Sequence, residues 1–209
     1  MEPTILERIP PVAWLTLNRP EQRNALSLEL MHHLTSTLQS LAADQEIKVI
    51  VLQGSGPAFC AGHDIRQLVG QDRTMHHFRD IFTTCTRMMQ LLHTLPQPVI
   101  AKVHGIATAA GCQLVAACDL AIAESQARFA TPGVRIGLFC STPMTPLIRL
   151  IGRRRAMDML MTGRFVPAEE ALHFGLVNKV VDKDNLDRAA RDWAHEIGQF
   201  SRFTLGLGK

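Results

Sequence analysis

Tyrosine is absent from this 209-residue chain and aromatic residues of any kind make up only 5%. A protein that stacks single-stranded nucleic acid needs aromatic platforms along a basic groove. The formal charge is only +3, and the one tight basic cluster is Arg153, Arg154 and Arg155. It reads as the solvated start of a helix, with a phosphate contact as the alternative, so no nucleic-acid partner is expected. No apolar run reaches membrane-spanning length. The first residues, Met1 to Ile5, carry neither the basic and apolar regions of a secretory signal nor an Arg/Ser-rich transit pattern. No membrane partner and a cytoplasmic setting are therefore the expectation. The five cysteines, Cys60, Cys85, Cys112, Cys118 and Cys140, are odd in number and form no CxxC, which fits reduced thiols better than a disulfide framework. There is no GxGxxG, GxxxxGK(S/T), HExxH or GxSxG. His32 with His33 and His76 with His77 are adjacent on expected helices, where neighbours point about 100° apart and cannot share one metal ion. No metal site is expected.

What is present is an alternation of short apolar runs with helical patterns. Hydrophobic residues reach 46%, enough for one domain with a sizeable core. Residues 5–9 and 12–17 read as strands around the Pro10 and Pro11 break, and NRPEQRN at 18–24 as a polar loop. Ser27 can cap a helix to about residue 43 whose buried face is Leu30, Leu34, Leu38 and Leu41. The nearly all-apolar run 47–52 predicts a strand buried on both faces. Further strands are expected at 98–103, 120–123 and 176–181. Helices are expected at about 72–95, 107–117, 153–161, 167–174 and 183–200, with Gly/Pro-rich loops at 54–62 and from Phe129 to about Pro143. This pattern predicts α/β with a mainly parallel sheet.

Two loop-to-helix junctions carry the chemical interest. One is AFCAGHDI at 58–65 and the other HGIATAAGCQ at 104–113. Each puts small residues at a helix start, where the first backbone N–H groups lack an intrahelical partner and the dipole is positive. Two such groups aimed at one point would form an oxyanion hole. The same residues would also be expected if the junctions served only tight helix-on-sheet packing.

These junctions, with the LNRP and NAL segments at 17–20 and 24–26, CDL at 118–120 and AEEALHFGLVNKVV at 168–181, resemble the crotonase (enoyl-CoA hydratase/isomerase) superfamily in register over essentially the whole chain. Residues 107–114 and 129–143 look closest to one branch of it. The resemblance implies a crotonase-like ββα superhelix with two roughly perpendicular sheets in a single domain, 1–209. Its core would be about 1–182, with 183–209 the start of a C-terminal helical region that is expected to be truncated here. It also implies a CoA thioester as substrate, with no permanently bound cofactor and coenzyme A only as part of that substrate. The thioester carbonyl would take the N–H groups of His63 and Ala110. Arg23, Ala25, Ala61, His63, Asp64, Ile65 and Arg66 would fall on the CoA side. Where the C-terminal segment is complete, the family assembly is a homotrimer or a dimer of trimers.

The chain departs from the family at the acid–base positions. The two family glutamates fall at Gln113 and Gly133, and neither residue can shuttle a proton near neutral pH. Other branches place a carboxylate slightly later, but residues 137–142 contain none and offer only Cys140 and Ser141. Cys140 reads either as a packed apolar cysteine or as a nucleophile without an evident base. The sequence therefore leaves three readings: an acyl-CoA enzyme with non-hydratase chemistry, a catalytically silent acyl-CoA-binding or regulatory module, or a scaffold that binds no CoA and whose junctions serve only packing.

Overall fold

The computed structural model describes residues 2–69 and 74–209. β1 (Thr4–Ile9) and β2 (Val12–Leu17) form an antiparallel pair with Ile9 opposite Val12, the hairpin expected around the two prolines. The polar loop after β2 contains a 3-10 turn at Pro20–Gln22. The Ser27 side chain accepts the Leu30 N–H at the start of α1 (Leu28–Ala43), and all four leucines of the expected face are buried. Next come β3 (Val49–Gly54), the single turn α2 (Ile65–Leu68) and α3 (Met75–Thr94). The start expected for α3, at residue 72, lies outside the described residues. β4 (Val99–Val103), β5 (Ile106–Thr108), α4 (Ala110–Ala117), β6 (Leu120–Glu124) and β7 (Arg128–Ala130) then lead to α5 (Ser141–Thr162). The chain continues through β8 (Val166–Pro167), α6 (Ala168–Phe174), β9 (Lys179–Val181), α7 (Leu186–Gly198) and α8 (Arg202–Gly208).

The main sheet has the order β1-β2-β3-β4-β6-β9, parallel throughout except for β1 at the edge. Strand alternation divides its side chains between two faces. Val12, Trp14, Val49, Val51, Ile100 and Ile122 pack against Leu186, Ala190 and Ala194 of α7. Ala13, Leu15, Leu17, Ile50, Leu52, Ala101 and Val103 face the other way, into the core shared with the leucines of α1, Met88 and Leu92 of α3 and Cys112 and Leu114 of α4. Burial on both faces is why these strands read as continuous apolar runs. Each fully buried leucine stabilises the fold by about 1.5–3 kcal/mol relative to an exposed one. A second sheet, β5-β7-β8, sits at the ends of these units, with Ala107 opposite Phe129 in the parallel pair β5 and β7.

Three expectations need correction. Residues 107–109 do not begin the helix: Ala107 and Thr108 belong to β5, and Ala109 is the non-helical residue before α4, at φ 50° and ψ −119°. The small, helix-compatible residues hid a strand stabilised by its pairing with β7, whose end overlaps the start of the stretch read as a loop. That loop also ends early, because α5 starts at Ser141 rather than near residue 153. Pro143 falls in the first turn, where its missing N–H costs nothing. The α5 path is interrupted at Gly152, whose φ of 77° and ψ of 158° separate two helical stretches. Finally, the late strand begins at Lys179 rather than at residue 176.

Candidate active site

The two junctions lie against each other. The Cys60 N–H donates to Ile106 O at 3.1 Å, the Thr108 N–H to Cys60 O at 3.0 Å, and the Thr108 hydroxyl to Ala61 O at 2.9 Å. Glycine makes this approach possible at two places. A Cβ on Gly111 would sit 2.1 Å from Cys60 O, and one on Gly62, at φ 96°, would sit 2.9 Å from both Ala109 Cβ and Thr108 O. Ala109 is itself a non-glycine residue at positive φ, held there by its N–H bond to Ala130 O at 2.9 Å. Such a conformation stores about 1–3 kcal/mol that the surroundings must offset. It turns the chain so that Ala110 opens α4 with its N–H outside the helical ladder.

Neither the His63 N–H nor the Ala110 N–H bonds to another described residue, although the neighbouring donors Leu26, Ala61, Asp64 and Ala109 all do. Both residues line a cavity of about 340 Å³ together with Ala61, Ile65, Leu68, Phe82, Gly133, Ile136, Leu138, Phe139, Cys140 and Ser141. The lining is mostly apolar and, among the described residues, contains no Asp or Glu. Pocket residues of this kind, with a few convergent polar groups, suit an apolar ligand carrying one hydrogen-bond acceptor.

The acid–base positions have different surroundings. A Cβ on Gly133 would meet the Cys140 sulfur at 2.8 Å and Leu138 O at 3.0 Å, so the thiol fills the space a side chain there would need. Burial raises the Cys140 thiol above its ordinary pKa, against a weaker opposing effect of a backbone hydrogen bond from Gly133. This fits a packing group better than a thiolate nucleophile. Gln113 is buried and its Oε1 has no hydrogen-bond partner among the described residues. It does not line the first cavity. It faces a neighbouring groove of about 510 Å³, and the two spaces share Ser141 and Thr142. The His63 ring lies beside Phe82, with ring centroids 5.3 Å apart, and its buried Nε2 has no partner among the described residues. Burial lowers its pKa from 6.5 to about 4, so the ring is neutral at physiological pH.

On the expected CoA side, Asp64 is committed to structure. It accepts from Arg66 Nη2 at 2.7 Å, Arg66 Nε at 2.9 Å and Arg19 Nη2 at 3.1 Å, and it caps α2 through the Arg66 N–H. The Arg66 hydrogen bond, aided by Arg19 and opposed by burial, lowers its pKa to about 2. Ala25 O accepts from Arg19 Nη1 at 2.6 Å, and Arg23 is exposed with its carbonyl taking the Ala61 N–H. Arg19 and Asn24 went unremarked as organisers. Asn24 Nδ2 reaches Ser55 O and Ala58 O, which ties the first loop to the first junction. The signal was in the sequence as two asparagines and two arginines within seven residues. Among the described residues no group of three His, Cys, Asp or Glu could hold a metal ion, and no helix is long and apolar enough to cross a membrane.

The family model described as enoyl-CoA hydratase/isomerase matches residues 8–205. The chain belongs to the enoyl-CoA hydratase/isomerase family. It is 44% identical to enoyl-CoA hydratase domain-containing protein 3, mitochondrial, of Rattus norvegicus over 93% of its length, and it spans 65% of that protein. The crystal structure of an enoyl-CoA hydratase from Mycobacterium smegmatis has a TM-score of 0.95 at 44% identity, covering 99% of this chain and 80% of that one. The crystal structure of human enoyl-CoA hydratase domain-containing protein 3 also has a TM-score of 0.95, at 41% identity, covering 99% and 81%. The fold is thus the crotonase fold, and the similarity extends to the branch that residues 107–114 and 129–143 resemble.

Proposed function

We propose that this chain binds an acyl-CoA thioester, seats its carbonyl oxygen between the N–H groups of His63 and Ala110, and acts on it without the acid–base pair of a hydratase. The observation that carries this reading is the pair of unpartnered main-chain donors at a mostly apolar cavity. Developing negative charge on a thioester oxygen is stabilised by such fixed donors, each worth about 3–4 kcal/mol. Ala61, Ile65 and Arg66, with Arg23, Ala25 and Asp64 behind them, form the CoA side. Coenzyme A enters only as part of the substrate, and no resident cofactor is required.

Gln113 and Gly133 argue against efficient hydration, because each positioned acid or base contributes about 10²–10⁴-fold. Gln113 can orient a water or a carbonyl but cannot accept its proton. A second reading, a silent acyl-CoA-binding or regulatory module, is favoured by the lack, among the described residues, of a carboxylate lining either the cavity or the groove. The proposed setting is cytoplasmic, although the rat relative is named as mitochondrial. The proposed assembly is the homotrimer or dimer of trimers of the family.

Calorimetric titration with butyryl-CoA and with free CoA tests the carbonyl site. The thioester should bind more tightly than free CoA. Equal binding, or none, would remove the proposal. Turnover over a panel of acyl-CoA thioesters then separates the two readings: conversion that Gln113→Ala abolishes supports the enzyme, and binding without conversion supports the silent module.

A further inference from the structure

The His63 imidazole is a titratable group that the carbonyl site leaves idle. The same residue supplies one of the two main-chain donors, so its ring stands within one side chain's reach of a bound thioester carbonyl. Its two ring nitrogens differ. Nε2 is sealed in the protein, on a ring that packs against Phe82. Nδ1 is not sealed and bonds to no described residue, which leaves it open on the cavity that His63 lines. Among the described residues, no other group at this cavity can take a proton near neutral pH. No Asp or Glu lines it there. Arg135 keeps its charge and donates from Nε to Thr162 O. Burial raises the Cys140 thiol, and Ser141 and Thr142 offer only hydroxyls. Beside His63 in the chain, Asp64 is held ionised by Arg66 and Arg19. Arg79 and Asp80 of α3 are exposed.

Burial brings the His63 ring to about 4, where a glutamate ordinarily titrates. The ring thus has the base strength of the carboxylate that the resemblance puts at Gln113, and at physiological pH it is neutral and ready to accept a proton. Resting on the thioester reading above, we propose that His63 Nδ1 is a general base that removes a proton from the carbon next to the thioester carbonyl. The C–H electron pair becomes the C=C bond of an enolate. The negative charge moves to the carbonyl oxygen, where the His63 and Ala110 N–H groups stabilise it. The imidazolium then returns the proton to the same carbon, which is exchange. In an acyl group with a β,γ double bond it returns the proton to the γ carbon, which moves the double bond into conjugation. Neither path needs water or a second acid–base group. The tautomer required carries its hydrogen on Nε2.

Two readouts follow this step: deuterium entering the α carbon of butyryl-CoA in deuterated buffer, and vinylacetyl-CoA becoming crotonyl-CoA. The native chain should accelerate both by at least about 10²-fold over buffer alone. Both rates should hold steady from neutrality down to about pH 5 and fall as the ring takes up its proton near 4, within the range where circular dichroism stays native. His63→Ala should lower them about 10²–10⁴-fold, and added imidazole should restore part of the loss. Bound butyryl-CoA with neither reaction overturns the proposal and leaves the carbonyl site standing. A rate that His63→Ala leaves unchanged overturns it too, as does a loss that imidazole does not relieve in a folded variant. Where His63→Ala does not fold, the native chain decides, and rates without an acid limb near 4 contradict the assignment. If butyryl-CoA binds no better than free CoA, the carbonyl reading fails first and takes this proposal with it.

Discussion

The two halves of the site are built from different material. The carbonyl half is backbone: the N–H groups of His63 and Ala110 are positioned by loop contacts so close that Gly62 and Gly111 admit no side chain. The proposed acid–base half depends on side chains: the resemblance puts the family's carboxylates at Gln113 and Gly133, and the Cys140 sulfur lies 2.8 Å from where a Cβ on Gly133 would be. A donor made of main chain persists as long as the fold does, because any residue supplies an N–H. A proton-transfer group is lost with one substitution, and the neighbours then repack. Scaffold and catalysis can therefore part company within one family.

Gly111→Ala should break the carbonyl half most severely. Its Cβ would lie 2.1 Å from Cys60 O, a backbone atom that cannot swing aside. We expect a loss of about 3 kcal/mol or more in urea unfolding, at the upper end of overpacking effects, together with loss of thioester binding.

His63 separates backbone from side chain. Its buried ring titrates near 4 instead of 6.5, so between those values the unfolded chain binds more protons than the folded one. Stability should therefore rise with pH through this window, by of the order of 3 kcal/mol in total. His63→Leu should flatten that rise and keep the preference for thioester over free CoA, because the N–H remains. A preference lost together with the ring would assign the role to the imidazole.

The acid–base half can be rebuilt. Gln113→Glu with Gly133→Glu should remain inactive toward crotonyl-CoA, because the sulfur at 2.8 Å leaves no room. Adding Cys140→Ala should raise hydration by about 10²-fold over the double variant. Activity in the double variant alone would show that Cys140 yields easily.

The smallest effect is expected at Ala109. Glycine tolerates its φ of 50° and ψ of −119° without the Cβ conflict. Ala109→Gly should raise stability by about 1 kcal/mol in the same urea assay.

Much of the architecture was legible because period-two and helical patterns are local. Leu30, Leu34, Leu38 and Leu41 announce α1, and the run before Gly54 announces a strand covered on both faces. β5 and β7 were not legible. Three residues each, they exist through pairing with one another, and Ala107 and Thr108 read equally well as a helix start. The start of α5 was hidden by Pro143 and Pro146. At the site, family motifs pointed to His63, Ala110, Gln113 and Gly133, but a backbone donor leaves no side-chain signature. That Cys140 occupies the space beside Gly133, and that Gln113 faces a groove and not the first cavity, are facts of packing between segments that no local pattern contains.

The most direct test of the carbonyl site is isotope-edited infrared spectroscopy of butyryl-CoA labelled at the thioester carbonyl. Two main-chain N–H bonds should shift the C=O stretch of the bound ligand to lower frequency than in free solution, equally in the native chain and in His63→Leu. A bound thioester with an unshifted carbonyl would contradict the account, because the ligand would then sit in the cavity without touching the donors that define it.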